Sequence, residues 1–522
     1  MSRCRFESGG GIRSASATLG QIRALVETGF MERVAYISCV SGGSWTAVPY
    51  TFAADGNESA FLGRHVEPED MNVSHLTEEG AYGKMGSVLA ETKLKSWLEA
   101  FVRFCAMFAG LQDSEWFGKQ LERSLLEPLD LNGRDYFITQ DARSLERILM
   151  NNPALESQLM LDSQVHKLPF RMPAADRPFL IANGTIRRYD TMFWKWSDHR
   201  NKRMPLEMTP LYVGVPHRFR DVGEDGCFVG GNYVEPVAYG AKRVEKLSAP
   251  ENTQSGILFS GSIRASLQAS RLHVESGRFN LSDMIAISGA ALADYAMLAE
   301  TAFPKLYSWS HFNSDDAAVA KYQHSDGGLS DNLGLMALLS RRVTHVVAFV
   351  NAEAVGVPDY VRAFFGDPYG EYGGWRSRGV FPQHKLSDLE HAVTQMQSGL
   401  KAPYFTDTYK VHSPAQEGDE DVFNVRVSPS EDYSVTVTWC FLESSRWERQ
   451  LDQSVSTALR RESDFKNFPR FKTFMNNPLL IIDPTPQQVN VLSFFSGWVF
   501  RKCVEDDAFR AAFGLRTLNS EP

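Results

Sequence analysis

Within residues 14–28 the apolar positions Leu19, Ile22, Leu25 and Val26 fall three and four apart, so they share one helix face, and Gly29 is a natural stop. Ahead of this helix lie a short segment, residues 5–7, and the run Ser8-Gly9-Gly10-Gly11. Behind it, residues 34–37 (Val-Ala-Tyr-Ile) read as a buried strand running into Ser38-Cys39-Val40-Ser41-Gly42-Gly43 and a second helix. Strand, helix and strand joined by glycine-rich turns are the grammar of a parallel α/β sheet. The opening strand carries Arg3, Arg5 and Glu7, short and charged for a buried position, so a shortened start is expected.

From about residue 57 to 175 the pattern changes to long helical segments with charged faces, including 96–111 and 145–159, which reads as an inserted helical region. Residues 176–350 return to mixed β and loop character, with strands expected at 179–182, 206–215 and 256–259. Helices are expected at 282–298 and 332–341, and residues 343–350 (Val-Thr-His-Val-Val-Ala-Phe-Val) form the clearest buried strand. Beyond about residue 357 come loops with Gly and Pro, an acidic run at 417–421 and alternating strands within 425–439, with no fixed-period repeat.

Composition narrows the function classes. The chain of 522 residues is 43% hydrophobic and 22% charged, as in an ordinary folded protein. A formal charge of −9 provides no global positive field to recruit nucleic acid or an anionic membrane. The six cysteines, Cys4, Cys39, Cys105, Cys227, Cys440 and Cys503, form no CxxC pair and no zinc spacing, which fits reduced thiols in a cytosolic protein. Nothing near Met1 reads as a signal peptide and no stretch reaches about 18 apolar residues, so a soluble or peripherally attached protein is expected. Asp221, Asp225 and Gly226 lack the intervening ligands of a calcium loop.

Three glycine-marked segments carry candidate chemistry. A nucleophile elbow needs small residues two before and two after its serine, because strand and helix approach closely there. Cys39-Val40-Ser41-Gly42-Gly43 fits, with Cys39 where Gly is usual, and it would expose the Ser41 hydroxyl at a helix N-terminus. In Ser8-Gly9-Gly10-Gly11-Ile12-Arg13 consecutive glycines let main-chain N–H groups turn towards an anion, and the following helix adds its dipole. Arg13 just beyond it has the forked cation that suits a phosphate. The spacing matches neither GxGxxG nor a P-loop. In Ser325-Asp326-Gly327-Gly328-Leu329-Ser330-Asp331-Asn332, Asp326 stands at a loop edge of the sheet, where catalytic groups of α/β folds collect, while Asp331 or Asn332 suits a helix cap.

Taken in order, Ser-Gly-Gly-Gly-Ile-Arg at 8–13, Val-Ser-Gly-Gly-Ser-Trp at 40–45 and Asp-Gly-Gly at 326–328 resemble the signatures of patatin-like phospholipases and the related cytosolic phospholipase catalytic domains. The serine follows Arg13 by only 28 positions, whereas an α/β-hydrolase carries its elbow much deeper and its acid before a final His. Met208-Thr209-Pro210-Leu211-Tyr212-Val213-Gly214, Val229-Gly230-Gly231-Asn232 and residues 279–291 add to the cytosolic phospholipase side of the likeness.

The resemblance spans roughly residues 5–352. It implies an α/β catalytic domain over 1–356, with a mostly parallel central sheet and the helical insertion as a cap, and an extension over 357–522 packed on it. It further implies a Ser41–Asp326 dyad, an oxyanion hole at Gly9, Gly10 and Gly11, and substrate contacts from Arg13 and Gly42. The substrate would be a phospholipid or lysophospholipid met during transient contact with a membrane surface, with no cofactor or metal. The sequence sets no oligomeric state.

Asp ionises near pH 3.9 and is a weak base, so a dyad without histidine leans on positioning and on oxyanion donors worth about 3–4 kcal/mol each. Of the twelve histidines, His324 and His345 are the nearest triad candidates, and a structural role suits both better. The apolar segment Trp97, Leu98, Phe101, Val102, Phe104, Cys105, Phe108 and Leu111, and another at 489–500, suit a lid or acyl groove or, more simply, core. The competing functions are an esterase with a Ser-His-Asp triad and a catalytically silent lipid-binding scaffold.

Overall fold

A computed structural model describes residues 3–7, 10–53, 57–77, 79–92, 115–132, 136–151, 170–187, 203–220, 228–240, 279–291, 303–308, 320–351, 355–366, 379–413, 433–461, 465, 467–471 and 484–516. Its strands are β1 (Arg3–Glu7), β2 (Tyr36–Val40), β3 (Phe137–Ile138), β4 (Phe170–Arg171), β5 (Phe179–Arg187), β6 (Arg203–Met208), β7 (Val213–Arg220), β8 (Phe228–Val234), β9 (Lys305–Ser308), β10 (Ala320–Asp326), β11 (His345–Val350), β12 (Tyr404–Lys410) and β13 (Ser434–Phe441). Strands β3 and β4 pair by themselves; the other eleven form one sheet in the order β12-β13-β11-β1-β2-β5-β6-β7-β8, with β10 joined to β5 and β9 to β10.

The sheet is mixed, which corrects the expectation of a mostly parallel one. Parallel pairing is confined to its middle, β13-β11-β1-β2-β5. There the helix α1 (Gly11–Glu27) crosses from β1 to β2, and α2 (Gly42–Phe52) leaves β2. The arm from β5 through β8 and the edge strand β12 pair antiparallel. Residues 206–215, expected as one strand, divide into β6 and β7 around a turn in which the Thr209 hydroxyl accepts the amides of Leu211 and Tyr212 at 3.2 and 2.9 Å. Pro210 inside that run is the signal for the break.

Along β11, Val346, Ala348 and Val350 enter one hydrophobic core while Val347 and Phe349 enter the other, so the middle of the sheet is buried on both faces. Residues 357–522 contribute β12 and β13 to this same sheet, together with α6 (Leu386–Gln397) and α7 (Pro486–Glu505), so the sheet continues across the boundary expected at 356. Earlier in the chain, between β8 and β9, α3 (Leu281–Ser288) opens with an Asn280 capping box and ends at Gly289. Of the helix expected at 332–341 only α5 (Met336–Leu339) forms; α4 (Gly328–Asp331) ends before that range, and Gly334 at φ 70° separates the two.

Within 57–175 the described residues are largely helical apart from the β3–β4 pair. The segment 96–111, the second half of 145–159, the strand expected at 256–259 and the residues 221–226 lie outside the described residues, as does the acidic run 417–421. The 489–500 segment is core: Phe494, Phe495 and Trp498 are buried in α7.

Helices α1 and α7 approach at main-chain distance. A Cβ on Gly20 would lie 1.8 Å from the Ser493 carbonyl oxygen, and the Ser496 hydroxyl donates to the Ala17 carbonyl at 2.7 Å. Gly20→Ala is therefore expected to cost about 1–3 kcal/mol through overpacking, read as a lower midpoint in denaturant. An unchanged midpoint would contradict this contact. Arg23, fully buried between the same helices, donates to the Leu62 carbonyl at 2.9 Å and the Ser493 hydroxyl at 2.6 Å; desolvation lowers its pKa to about 10.

Candidate active site

Strand β5 organises the site. Along one edge β2 runs parallel to it as far as the pair Val40–Asn183, and β6 occupies the other edge over residues 182–187. Antiparallel β10 therefore takes the edge that β2 leaves, ending at the pair Asp326–Gly184. The C-terminal ends of β2 and β10 point at one another and meet at consecutive β5 residues, a separation of about 3.3 Å along the strand. Ser41 is the first residue after β2, and Asp326 is the last of β10.

Ser41 turns the chain from β2 into α2 at φ 53°, ψ −130°, a region that non-glycine residues adopt only when their surroundings hold them there. It occupies the N-cap position without using its hydroxyl as a cap. The Cys39 thiol, where glycine is usual, is accommodated in the core. Asp326 is 4% exposed; its Oδ1 accepts the Gly328 amide at 2.7 Å, and its carbonyl accepts the Thr185 hydroxyl at 2.9 Å. Asp331 caps the following turn, accepting the amides of Leu333 at 3.1 Å and Met336 at 2.8 Å.

The glycine turn meets the elbow directly. A Cβ on Gly42 would come within 1.8 Å of the Gly11 carbonyl oxygen, so the first residues of α1 and α2 are packed main chain to main chain. Gly10 and Gly11 have φ of 149° and 58°, and Gly9 lies outside the described residues. Neither helix carries an acidic residue in its first turn or a side-chain cap, so two positive helix ends converge without a neutralising carboxylate of their own. Arg13, for which the sequence suggests a phosphate contact, is 4% exposed. Its guanidinium donates to the carbonyls of Asn351 at 2.8 Å and of Arg470 and Phe471 at 3.2 Å each, tying α1 to the ends of distant segments.

Both candidate histidines are engaged elsewhere. His324 is fully buried, with Nε2 2.7 Å from the Tyr239 hydroxyl and Nδ1 2.9 Å from the Tyr322 carbonyl oxygen. His345 begins β11, at the other end of the parallel strands from Ser41, about 20 Å away by strand rise. Burial lowers the His324 pKa from 6.5 to about 4, against a smaller opposing effect of the Tyr322 carbonyl. The unfolded chain then takes up this proton first. Stability is expected to decline as pH falls from 6.5 to about 4, by up to about 3 kcal/mol, and to lose no more through this group below that. In His324→Gln, denaturation across this window should be less pH-dependent than in the parent, and an identical slope would count against the assignment.

Several residues at the site carry no role that the sequence assigns, although Ser288 and Tyr212 fall within segments that share in the likeness. Ser288 of α3 is fully buried, accepting the Ser41 amide and donating to the Asn183 carbonyl, each at 2.9 Å. The Asn183 amide in turn donates to the Ser38 hydroxyl at 2.9 Å and the Cys39 carbonyl at 3.0 Å. Next along the same row of the sheet, Glu207 pairs with Arg341, which it contacts through Nη1 at 3.1 Å and Nη2 at 2.5 Å. The hydroxyls of Tyr212 and Tyr233 donate to the same carboxylate at 3.3 Å. Burial pulls the Arg341 pKa down, but the charge and hydrogen bonds of Glu207 outweigh it and the net shift is upward.

Among solved structures, the chain is similar to human GIVD cytosolic phospholipase A2, with a TM-score of 0.45 and 13% identity over 99% of this chain and 60% of that one. The same human enzyme in complex with methyl gamma-linolenyl fluorophosphonate, alone and with terbium chloride, gives TM-scores of 0.42 at 13% identity. The chain thus spans about 60% of the length of these proteins. No protein-family model and no curated protein matches the sequence. Among the described residues, no helix is long and apolar enough to cross a membrane.

Proposed function

We propose that this chain is a serine acyl hydrolase cleaving fatty acyl esters of phospholipids or lysophospholipids, with Ser41 as nucleophile and Asp326 as its base. The observation that carries the reading is the head-on approach of β2 and β10 along β5, with a strained serine following one strand and a buried carboxylate ending the other. The resemblance of the three glycine-marked segments to patatin-like and cytosolic phospholipases points to the same chemistry.

In this mechanism Asp326 takes the Ser41 proton as the hydroxyl oxygen attacks the ester carbonyl. The proton passes to the departing alcohol when the tetrahedral species collapses to acyl-Ser41. Water then attacks the acyl carbon, giving its proton to Asp326, and the fatty acid leaves as the proton returns to Ser41. The negative charge on the carbonyl oxygen is met by main-chain N–H groups of the Gly9-Gly10-Gly11 turn and by the positive ends of α1 and α2. Gly42 lets those ends lie side by side. Arg13, just past the glycine turn, ties the start of α1 to the carbonyls of Asn351, Arg470 and Phe471, and three of its five N–H groups are used in doing so. The dyad chemistry itself calls for no metal, and substrate is taken up during transient contact with a lipid surface.

The test is fatty acid release from phosphatidylcholine vesicles, lysophosphatidylcholine micelles and emulsified triglyceride, comparing the full chain with Ser41→Ala. Hydrolysis of a phospholipid or lysophospholipid that disappears in Ser41→Ala is the expected result. Hydrolysis that survives the substitution, or a parent protein inert on every ester, would overturn the reading, the latter in favour of a silent scaffold.

A further inference from the structure

The last turn of α3 and the two residues after it reach the Ser41 elbow, α2, β5 and β10. Its Ser288 hydroxyl bridges the Ser41 amide and the Asn183 carbonyl of β5. One turn back, the Ile285 carbonyl accepts the Trp45 indole N–H of α2 at 3.2 Å, and a Cβ on Gly289 would come within 2.5 Å of that nitrogen. Just beyond, the Ala290 carbonyl accepts the Ser325 hydroxyl, next to Asp326, at 3.4 Å.

We infer that Ser288 is a positioning residue that holds the Ser41 elbow in its strained conformation and so aims its hydroxyl at Asp326. This rests on the reading of Ser41 as nucleophile. The two peptide groups of the elbow are fixed from opposite sides. The Ser41 carbonyl accepts the Ser44 amide at 2.9 Å and the Ser44 hydroxyl at 2.6 Å, both from within α2. The Ser41 amide is held by a side chain 247 residues away. Removing that hydroxyl strands a buried N–H and a buried carbonyl, and the backbone relieves both by rotating towards an ordinary φ. Such a rotation carries the Ser41 hydroxyl off line, and misplacement by about 1 Å is enough to cost on the order of 100-fold in rate. Ser288 is itself fully buried, so it acts on the reacting atoms through Ser41.

The experiment compares Ser288→Ala and Ser288→Thr with the parent, as full chains. It measures the rate of adduct formation at Ser41 by a long-chain fluorophosphonate, kcat and KM on phospholipid vesicles, and thermal melting. Ser288→Ala should lose about 10- to 100-fold in labelling rate and kcat with KM within about twofold. Ser288→Thr, which keeps a hydroxyl, should stay within about threefold of the parent. Labelling of folded Ser288→Ala at the parent rate overturns the inference, as does a Thr variant as slow as the Ala one. Should Ser288→Ala fail to fold, Ser288→Cys, with its weak donor and acceptor, is expected to label at least about fivefold more slowly than the parent, and parent-like labelling overturns the inference equally. A parent protein that takes no label at Ser41 is a different outcome: it removes the proposed function, and the positioning role with it.

Discussion

Asp326→Asn is expected to lower kcat by about 10²- to 10⁴-fold, the range over which a positioned acid–base group contributes, while leaving the fold in place. Asparagine has the same shape, and its carbonyl oxygen can still accept the Gly328 amide that now binds Oδ1. The Asp326 carbonyl, held by Thr185, is untouched. What disappears is the ability to take a proton from Ser41. The melting temperature should therefore move little, a loss of about 1 kcal/mol for a weakened hydrogen bond, and KM should remain near the parent value. A fall in kcat matched by a comparable fall in stability would instead mark Asp326 as a loop strut. Full activity in Asp326→Asn would remove it from the chemistry.

Gly42→Ala should be damaging in both respects. The new Cβ would sit 1.8 Å from the Gly11 carbonyl oxygen and 2.8 Å from the Gly11 Cα, against rigid main chain at the start of a 17-residue helix. Relief requires α1 and α2 to part by more than an ångström, at a cost of about 1–3 kcal/mol in stability. The same displacement separates the elbow from the glycine turn that faces it, and losing one oxyanion donor is worth about 10²- to 10³-fold in kcat. Gly11→Ala makes a useful contrast. It has φ of 58° but nothing within 4 Å of the new methyl, so it should cost only the left-handed strain of about 1–2 kcal/mol. If Gly42→Ala were as active and as stable as the parent, the close packing of the two helix starts would be refuted.

The legible parts of this molecule are those with local causes. The apolar repeat of Leu19, Ile22 and Leu25 announces α1, and the small residues around Ser41 announce the elbow, because helix period and turn sterics act within a few residues. The apolar, β-branched run in 343–350 likewise marks β11, though His345 is where the strand begins. The antiparallel arm was harder to see. Residues 206–215 read as one strand because their apolar content outweighs the single break at Pro210. Ser288 falls in the segment 279–291 that adds to the likeness, but nothing local marks its role, which depends on a serine 247 positions earlier; in the sequence it is one polar residue closing an apolar helix. The pairing of Glu207 with Arg341, 134 positions apart, is invisible for the same reason. Arg13 shows the opposite problem, since its place beside the glycine run suggests an anion partner while the fold gives it three carbonyl oxygens.

The most direct test of the central claim is the site of covalent modification by a long-chain fluorophosphonate, located by peptide mass spectrometry on the full chain. A single adduct on Ser41, strongly slowed in Asp326→Asn, is the outcome this geometry predicts. An adduct on another serine, or one on Ser41 that forms equally fast without the Asp326 carboxylate, would contradict it.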